Sequence, residues 1–308
     1  MTTTVQNILK TLGYFDLFQY PLTKGEIFIF HPAVVPLQEL ETALETLLTE
    51  KTVFRLDEFY SLNNDHLLVE RRRRGNLLAA KQLKTAQRVA RFLSWFPYVK
   101  AVAISGSLSK NFAGDKTDID LFIITAPNRL WIARTCMHLY KKLTFLTGRQ
   151  HRYCMNYYVD EQEPEITEKN IFTAIEIITL LPMQGRSSLA EFIAANEWVK
   201  KYFPAHHFQP DEIPEIQPGF LRKTFERVFN GSMGDKFDRW LMKITKARWQ
   251  KKADEKQLNS KGIRMGMVVG RHFSKPDPRN FQDKVIERYH VRVQQLIQLQ
   301  NRIASVVL

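Results

Sequence analysis

"AISGSLSKNFAGDKTDIDLFIIT", residues 103–125, joins two apolar runs through a short polar loop. An apolar run ends in Gly106-Ser107, a polar loop follows, and a second apolar run begins around Asp118 and Asp120. Side chains alternate between the two faces of a strand, so the two aspartates project from the same face, about 7 Å apart. Two like charges so placed repel each other and lose hydration unless a cation neutralises them.

The pair of carboxylates and the Gly-Ser turn together predict a site for a metal and a phosphate tail. Oxygen ligands of this kind suit Mg²⁺, with Mn²⁺ as the alternative ion. Gly106 allows an anion to approach the backbone closely, and Ser107 and the free amide N–H groups of the turn supply donors. Lys110 follows the turn and is a further candidate for a phosphate contact, as are Arg129 and Arg134 at the start of the next helix.

The same residues carry a resemblance to a known family. Gly-Ser, ten further residues and "DID" at the head of an apolar strand resemble the motif of the DNA polymerase beta-like nucleotidyltransferase superfamily. The resemblance covers roughly residues 98–160. It implies that Ser107 binds the triphosphate of a nucleoside triphosphate such as ATP, that Asp118 and Asp120 bind Mg²⁺, and that Gly106 shapes the turn.

A wider resemblance extends over much of the chain without defining a substrate. "YFDLFQYPLT", "SGSLSKN" and "FTAIEI" are similar to segments of uncharacterised bacterial nucleotidyltransferase-domain proteins that carry an N-terminal winged-helix extension. The resemblance implies a Mg²⁺-dependent enzyme that moves a nucleoside monophosphate from a nucleoside triphosphate to an acceptor hydroxyl and releases pyrophosphate. The acceptor stays open: RNA, a protein side chain, a small molecule and a second nucleotide all fit.

The chain departs from the family at the third carboxylate, which the resemblance places on the next strand. In "HRYCMNYYVD" the mid-strand position that would face the aspartate pair holds Asn156. An amide oxygen can ligate a metal, but it is neutral and a poor base. Asp160 is the other candidate, on the same face of the strand but about 13 Å further along. The alternative function is therefore a catalytically degenerate nucleotide- or nucleic-acid-binding protein that keeps Asn156 in place of the acid.

The element pattern predicts an α/β (α+β) fold with a mixed sheet, divided into four parts. Residues 1–64 read as a winged-helix-like domain of three helices and a hairpin, and residues 65–97 as one long basic connecting helix. Alternating strands and helices over 98–165 predict the nucleotidyltransferase core, and 166–308 reads as a mainly helical region.

Two features of residues 1–64 can be predicted from short stretches of sequence. Thr23 with Glu26 three residues later predicts a capping box at the start of the second helix. The third helix, 36–49, and the two residues after it carry four glutamates against one cation, Lys51, so phosphates would repel this helix. We therefore expect this module to serve a structural or protein-contact role rather than to read DNA.

The net charge of +13 favours anionic partners. Arg71, Arg72, Arg73 and Arg74 could contact a nucleic acid, although a charge run of this kind is also typical of a solvated helix face. The two cysteines are far apart and the N-terminal residues lack a secretory pattern, which predicts a cytoplasmic protein. No apolar run reaches the roughly 18 residues that span a bilayer, so membrane insertion is not expected.

Overall fold

Helices and strands follow one another along the chain in the computed structural model, which describes residues 2–115, 117–143, 153–208, 212–255, 266–277 and 280–307. The elements are α1 (Thr3–Asp16), β1 (Leu22–Thr23), α2 (Lys24–Ile29), α3 (Leu37–Thr49), β2 (Phe54–Leu56), β3 (Phe59–Ser61), α4 (Leu67–Leu93), β4 (Val99–Ser105), α5 (Gly106–Ser109), β5 (Ile119–Thr125), α6 (Leu130–Leu143), β6 (Tyr153–Asp160), α7 (Ile171–Ile178), β7 (Leu181–Gln184), α8 (Arg186–Ala195), a 3-10 helix (Glu197–Lys201), α9 (Phe220–Val228), α10 (Ser232–Asp254), β8 (Gly266–Val269), β9 (Phe273–Asp277) and α11 (Phe281–Val307).

The N-terminal unit consists of α1, α2, α3 and a three-stranded antiparallel sheet in the order β1-β3-β2. Its helices and hairpin lie where the sequence predicts them. Thr23 caps α2 and exchanges hydrogen bonds with Glu26, so the predicted capping box is confirmed. The apolar stripe of α3 is buried through Leu40, Leu44 and Leu47. This burial leaves the glutamates of α3 on the outer side, as its helical period requires.

The four consecutive arginines of α4 are tied to other parts of the chain. Their partners are the carbonyl oxygens of Phe18 and Gln19 for Arg71, Glu26 for Arg72, Glu58 for Arg73 and Asp115 for Arg74. The side chain of Arg72 is 3% exposed, and its guanidinium lies 3.6 Å from the ring centre of Tyr20. The block therefore joins the N-terminal unit to α4, and its predicted contact with nucleic acid gains no support.

A six-stranded mixed sheet in the order β7-β4-β5-β6-β9-β8 lies at the centre of the fold. β5 and β6 run parallel because α6 lies between them in the chain and reverses its direction, whereas the other neighbouring strands are antiparallel. β4 and β5 are buried along most of their length, as expected for apolar strands covered by helices on both faces. The predicted mixed sheet is thus confirmed.

Three strands of this sheet come from the region after residue 165, which the sequence predicts as mainly helical. β7 pairs with β4, and the β8–β9 hairpin pairs with β6. Pro182 lies in β7 at the edge of the sheet, where an edge strand tolerates a residue without an N–H. α7 already ends at Ile178. The central sheet therefore continues beyond the predicted boundary of the core.

Helices cover both faces of the sheet, and the two faces bury different residues. Ala103 and Phe122 belong to the cluster that includes α1, α7 and α8, whereas Ile104 and Leu121 belong to the cluster beneath α4 and α6. α11 packs against α1, which brings both ends of the chain to the first face. Within the described ranges, no helix combines the length and the apolar content needed to cross a bilayer.

Candidate functional site

The chain turns sharply where β4 ends, and Gly106 makes the turn possible. Gly106 has φ +69, in the left-handed region that favours glycine. A Cβ atom at this position would lie 2.5 Å from Oδ2 of Asp120. The close approach follows from the strand register, because Ser105 pairs directly with Asp120 across the β4–β5 ladder. Because Gly106 has no side chain, the Asp120 carboxylate can lie directly beside the turn.

The predicted aspartate pair lies at the start of β5. Asp120 is the second residue of the strand and Asp118 immediately precedes it. Phe122, two residues further on, belongs to the core of the first face, whereas Ile119 and Leu121 pack into the opposite core. Both aspartates are partly buried. The alternation along β5 therefore directs Asp120 to the face of the sheet that carries the Gly-Ser turn.

Asn156 lies against Asp120, and a β-bulge brings it there. Along the β5–β6 ladder Leu121 pairs with Met155 and Phe122 with Tyr157, so Asn156 is the extra residue on β6. Its amide Nδ2 donates a hydrogen bond to Oδ1 of Asp120. The structure therefore brings Asn156 to the predicted acid, with its amide nitrogen rather than its oxygen in contact.

Asp160, the other candidate for a third acid, serves the opposite end of β6. It pairs with Thr125, about 16 Å along the ladder from Asp120. Asp160 is fully buried and accepts hydrogen bonds from the backbone N–H of Asn128 and from Nδ1 of His272, the latter at 3.0 Å. It therefore anchors a loop and the start of β9, and it is not part of the site.

Glu176 on α7 is the carboxylate that sequence reasoning missed. Its Oε1 pairs with Nζ of Lys110 at 2.8 Å, and its Oε2 lies 3.4 Å from the backbone nitrogen of Gly106. Asp120 and Glu176 thus both lie close to Gly106, each through its own contact. Adding these contact distances to ordinary bond lengths places the two carboxylates within ~9 Å of each other. A single acid in the apolar run "IFTAIEII" was the available signal, because a buried charge requires a partner.

The Gly-Ser turn, Asp120, Asn156 and Glu176 line one cavity of about 570 Å³. Most of the predicted nucleotide and metal residues lie in its wall: Gly106, Ser107, Lys110, Asp120 and Asn156. Asp118 immediately precedes β5 and is not in the cavity wall. The remaining wall is largely apolar, and its aromatic residues come from distant parts of the chain: Tyr14, Phe15, Phe18, Tyr20, Phe112, Phe122, Tyr157, Phe172 and Phe281. The site is therefore a polar end, near the Gly-Ser turn, joined to an aromatic chamber.

The N-terminal unit takes part in this site directly. The hydroxyl of Tyr20 donates to the backbone oxygen of Lys110, and its ring packs edge-on against Phe112 at 5.9 Å. Burial raises the pKa of Tyr20 and likewise that of Tyr14 and Tyr157. These phenols therefore stay protonated at neutral pH, and the hydroxyl of Tyr20 serves as a neutral donor to the Lys110 carbonyl.

Arg129 and Arg134 do not reach the cavity. Arg129 donates to the backbone oxygen of Phe229 at 2.9 Å and pairs with Asp235. Arg134 lies under the aromatic residues of the opposite face, 5.4 Å from the ring centre of Trp131. Neither is therefore placed to contact a triphosphate at the Gly-Ser turn.

Within the described part of the chain, no group of three or more His, Cys, Asp and Glu side chains is arranged to hold a metal ion. The oxygen atoms at the polar end of the cavity belong to carboxylates, the amide of Asn156, the hydroxyl groups of Ser105 and Ser107, and backbone groups. No protein-family model, no curated protein and no solved structure matches this chain. The resemblance to the nucleotidyltransferase superfamily therefore stays a prediction.

Proposed function

We propose that the protein is a Mg²⁺-dependent nucleotidyltransferase of the DNA polymerase beta-like superfamily. The observation that carries the proposal is the contact between the Gly-Ser turn and the aspartate strand. Gly106, Ser107 and Asp120 meet at the same end of β4 and β5, in the wall of one cavity. A nucleoside triphosphate bound there has its phosphates on the turn and its reacting end beside the acidic strand.

The topology supports the same proposal. A strand, a Gly-Ser turn, an antiparallel strand that begins with the acids, a helix and a parallel strand follow one another in β4, α5, β5, α6 and β6. This is the order that the resemblance implies for a nucleotidyltransferase core. Strands β7, β8 and β9 extend that core on both sides of the sheet.

The donor set fits Mg²⁺ or Mn²⁺ held jointly by the protein and the nucleotide. Mg²⁺ in phosphoryl-transfer sites is bound by one or two carboxylates together with substrate phosphates, so a preformed cage of three acids is not required. Asp118 and Asp120 are the residues that would hold the ion. When bound, the ion neutralises the triphosphate and the charge that develops on the leaving pyrophosphate.

The other residues of the polar end bind and position the substrate. The hydroxyl of Ser107 and the backbone N–H groups of the turn donate hydrogen bonds to phosphate oxygens, and Lys110 contributes a positive charge. The acceptor hydroxyl attacks the α-phosphorus, a new oxygen–phosphorus bond forms, and the bond to the pyrophosphate oxygen breaks. Positioning and charge neutralisation supply most of the rate acceleration.

Glu176 accepts the proton that the acceptor hydroxyl loses. Its carboxylate accepts a hydrogen bond from Lys110 and approaches the N–H of Gly106. A phosphate that binds these two donors displaces the carboxylate, which is then available beside the reacting hydroxyl as a base. Asn156 is neutral and does not take this role.

A second candidate function follows from Asn156. Its amide occupies the place beside Asp120 that the resemblance assigns to a third acid. If Glu176 does not substitute for that acid, the protein binds a nucleotide without turning it over. The two functions share the site and differ only in catalysis.

Two assays separate these functions. The first measures pyrophosphate release from each of the four nucleoside triphosphates with Mg²⁺ and then Mn²⁺, in the presence of RNA, protein and small-molecule acceptor pools. The second measures calorimetric binding of the same triphosphates with a non-hydrolysable α,β-bond. We expect release in the wild type and none in Asp118→Asn or Asp120→Asn.

The matched control is Asp115→Asn, in the loop before β5, which removes an exposed carboxylate paired with Arg74. This variant should release pyrophosphate at the wild-type rate. Binding without release under both metals would favour the second candidate. Absence of both binding and release in a folded wild-type protein would refute the proposed function.

A further inference from the structure

The outer face of α9 exposes apolar side chains beside cations. Phe220 and Leu221 are 82% and 83% exposed, and Val228 is exposed as well. Their spacing places all three within one arc of about 100° on the helix. Lys223 and Arg227, also exposed, lie along the edge of this arc. A soluble helix normally turns such an apolar face inward, so this one is available for a partner.

The next helix repeats the arrangement. Met233, Trp240 and Ile244 are exposed on α10, and their spacing of seven and four residues puts them on one stripe. Lys236 and Lys243 are exposed and lie beside that stripe. We call the exposed apolar residues of both helices and these flanking cations the α9–α10 surface.

The opposite sides of both helices anchor them to the body of the protein. Phe225, Phe229 and Phe237 pack on the cluster formed by Tyr98 and Ile132. The exposed side chains of the α9–α10 surface are therefore not the residues that hold these helices in the fold. Both helices are therefore held on the same cluster.

The α9–α10 surface carries an excess of positive charge. Residues 220–252 contain ten lysines and arginines and three acidic residues, a net charge of +7 within the chain's total of +13. All three carboxylates bond inward: Glu226 to the N–H of Tyr98, Asp235 to Arg129 and Asp238 to the N–H of Ile132. The cations are thus left to dominate the outward charge.

We propose that the α9–α10 surface docks on an anionic lipid bilayer as an interfacial contact, without crossing it. Protruding Phe, Leu, Val, Met and Trp side chains flanked by Lys and Arg are the combination that inserts into the boundary between headgroups and acyl chains. A second copy of the chain would bring like charge against like charge. Nucleic acid would leave the aliphatic side chains Leu221, Val228 and Met233 in water, whereas lipid covers them.

The proposal is tested by sedimentation of the full-length protein with vesicles of phosphatidylcholine alone and with about 30% phosphatidylglycerol. We expect binding only to the anionic vesicles, a blue shift of tryptophan fluorescence that is absent in Trp240→Phe, and weaker binding as salt rises. Phe220→Ser with Leu221→Ser, and separately Lys223→Glu with Arg227→Glu, should each weaken partitioning about ten-fold or more.

The matched control is Leu67→Ser with Leu77→Ser on α4, two leucines that are also strongly exposed but lie outside the α9–α10 surface. This control should bind as the wild type does. The charge-reversal variant alters only exposed side chains and keeps the test valid if the serine variant unfolds. Equal binding to neutral and anionic vesicles, or unchanged binding of both variants, would overturn the proposal. So would RNA binding or dimer formation through these residues in place of vesicle binding.

Discussion

Replacing Gly106 with alanine tests the geometry on which the proposed site depends. At φ +69 an alanine costs about 1–2 kcal/mol relative to glycine. Its Cβ atom would lie 2.5 Å from Oδ2 of Asp120, so the carboxylate must move by roughly 0.9 Å to reach an ordinary contact of 3.4 Å. That movement breaks the hydrogen bond from Asn156, at a further cost of about 1.5 kcal/mol.

We therefore expect Gly106→Ala to lower the free energy of unfolding by about 3 kcal/mol, and the Tm by about 5 °C for a chain of this length. Binding of Mg²⁺ with a nucleoside triphosphate should be lost in the folded variant, because the carboxylate no longer lies beside the turn. Urea unfolding and calorimetric nucleotide binding measure the two effects separately.

Gly25→Ala is the matched control. Gly25 lies in α2 with a helical φ and no atom within 4 Å of an added Cβ. Alanine there should raise stability by about 0.5 kcal/mol and leave nucleotide binding unchanged. If Gly106→Ala unfolds at the wild-type urea concentration and keeps the wild-type nucleotide affinity, the described contact between the turn and Asp120 is wrong.

Two further predictions concern stability. Arg72→Ala should lower the free energy of unfolding in urea by about 3 kcal/mol, because it leaves Glu26 without its buried partner. Arg74→Ala removes a pair whose side chains are both more than 60% exposed, so it should lower that free energy by less than about 1 kcal/mol. Equal losses in the two variants would contradict the assigned burial. Burial raises the pKa of Asp238 to about 6, so its protonated form is favoured in the folded state and its contribution is lost as pH rises through 6. Wild-type stability should therefore fall by up to about 3 kcal/mol from pH 4 to pH 7 through this group, and Asp238→Asn should show a flatter profile in pH-dependent unfolding.

The N-terminal elements were predictable because their signals are local. The capping box of Thr23 and Glu26, the apolar stripe of α3 and the hairpin turn at Asp57 each depend on residues within a few positions of one another. The Gly-Ser turn and the aspartate strand could be recognised for the same reason, since one short stretch contains both. Helical period, caps and turns act over single turns of the chain.

The sheet after residue 165 was not predictable in this way. β7, β8 and β9 are short, and Pro182 in β7 resembles a helix stop in sequence. β7 pairs with β4 and β9 pairs with β6, both far away in the chain, and β8 pairs with β9. Pairing of this kind is decided by long-range packing, which outweighs the weak propensity of a four-residue segment.

The amino-acid sequence was enough to show that a Gly-Ser turn and a pair of acids follow one another around two apolar strands. Their surroundings became visible only in the folded chain: Glu176 from α7, Asn156 at a bulge, and aromatic residues that include Tyr14 and Tyr20 of the N-terminal unit. This difference follows from distance along the chain. A turn is shaped by its own neighbours, whereas a cavity is built by residues that meet only after the sheet has paired and its helices have packed.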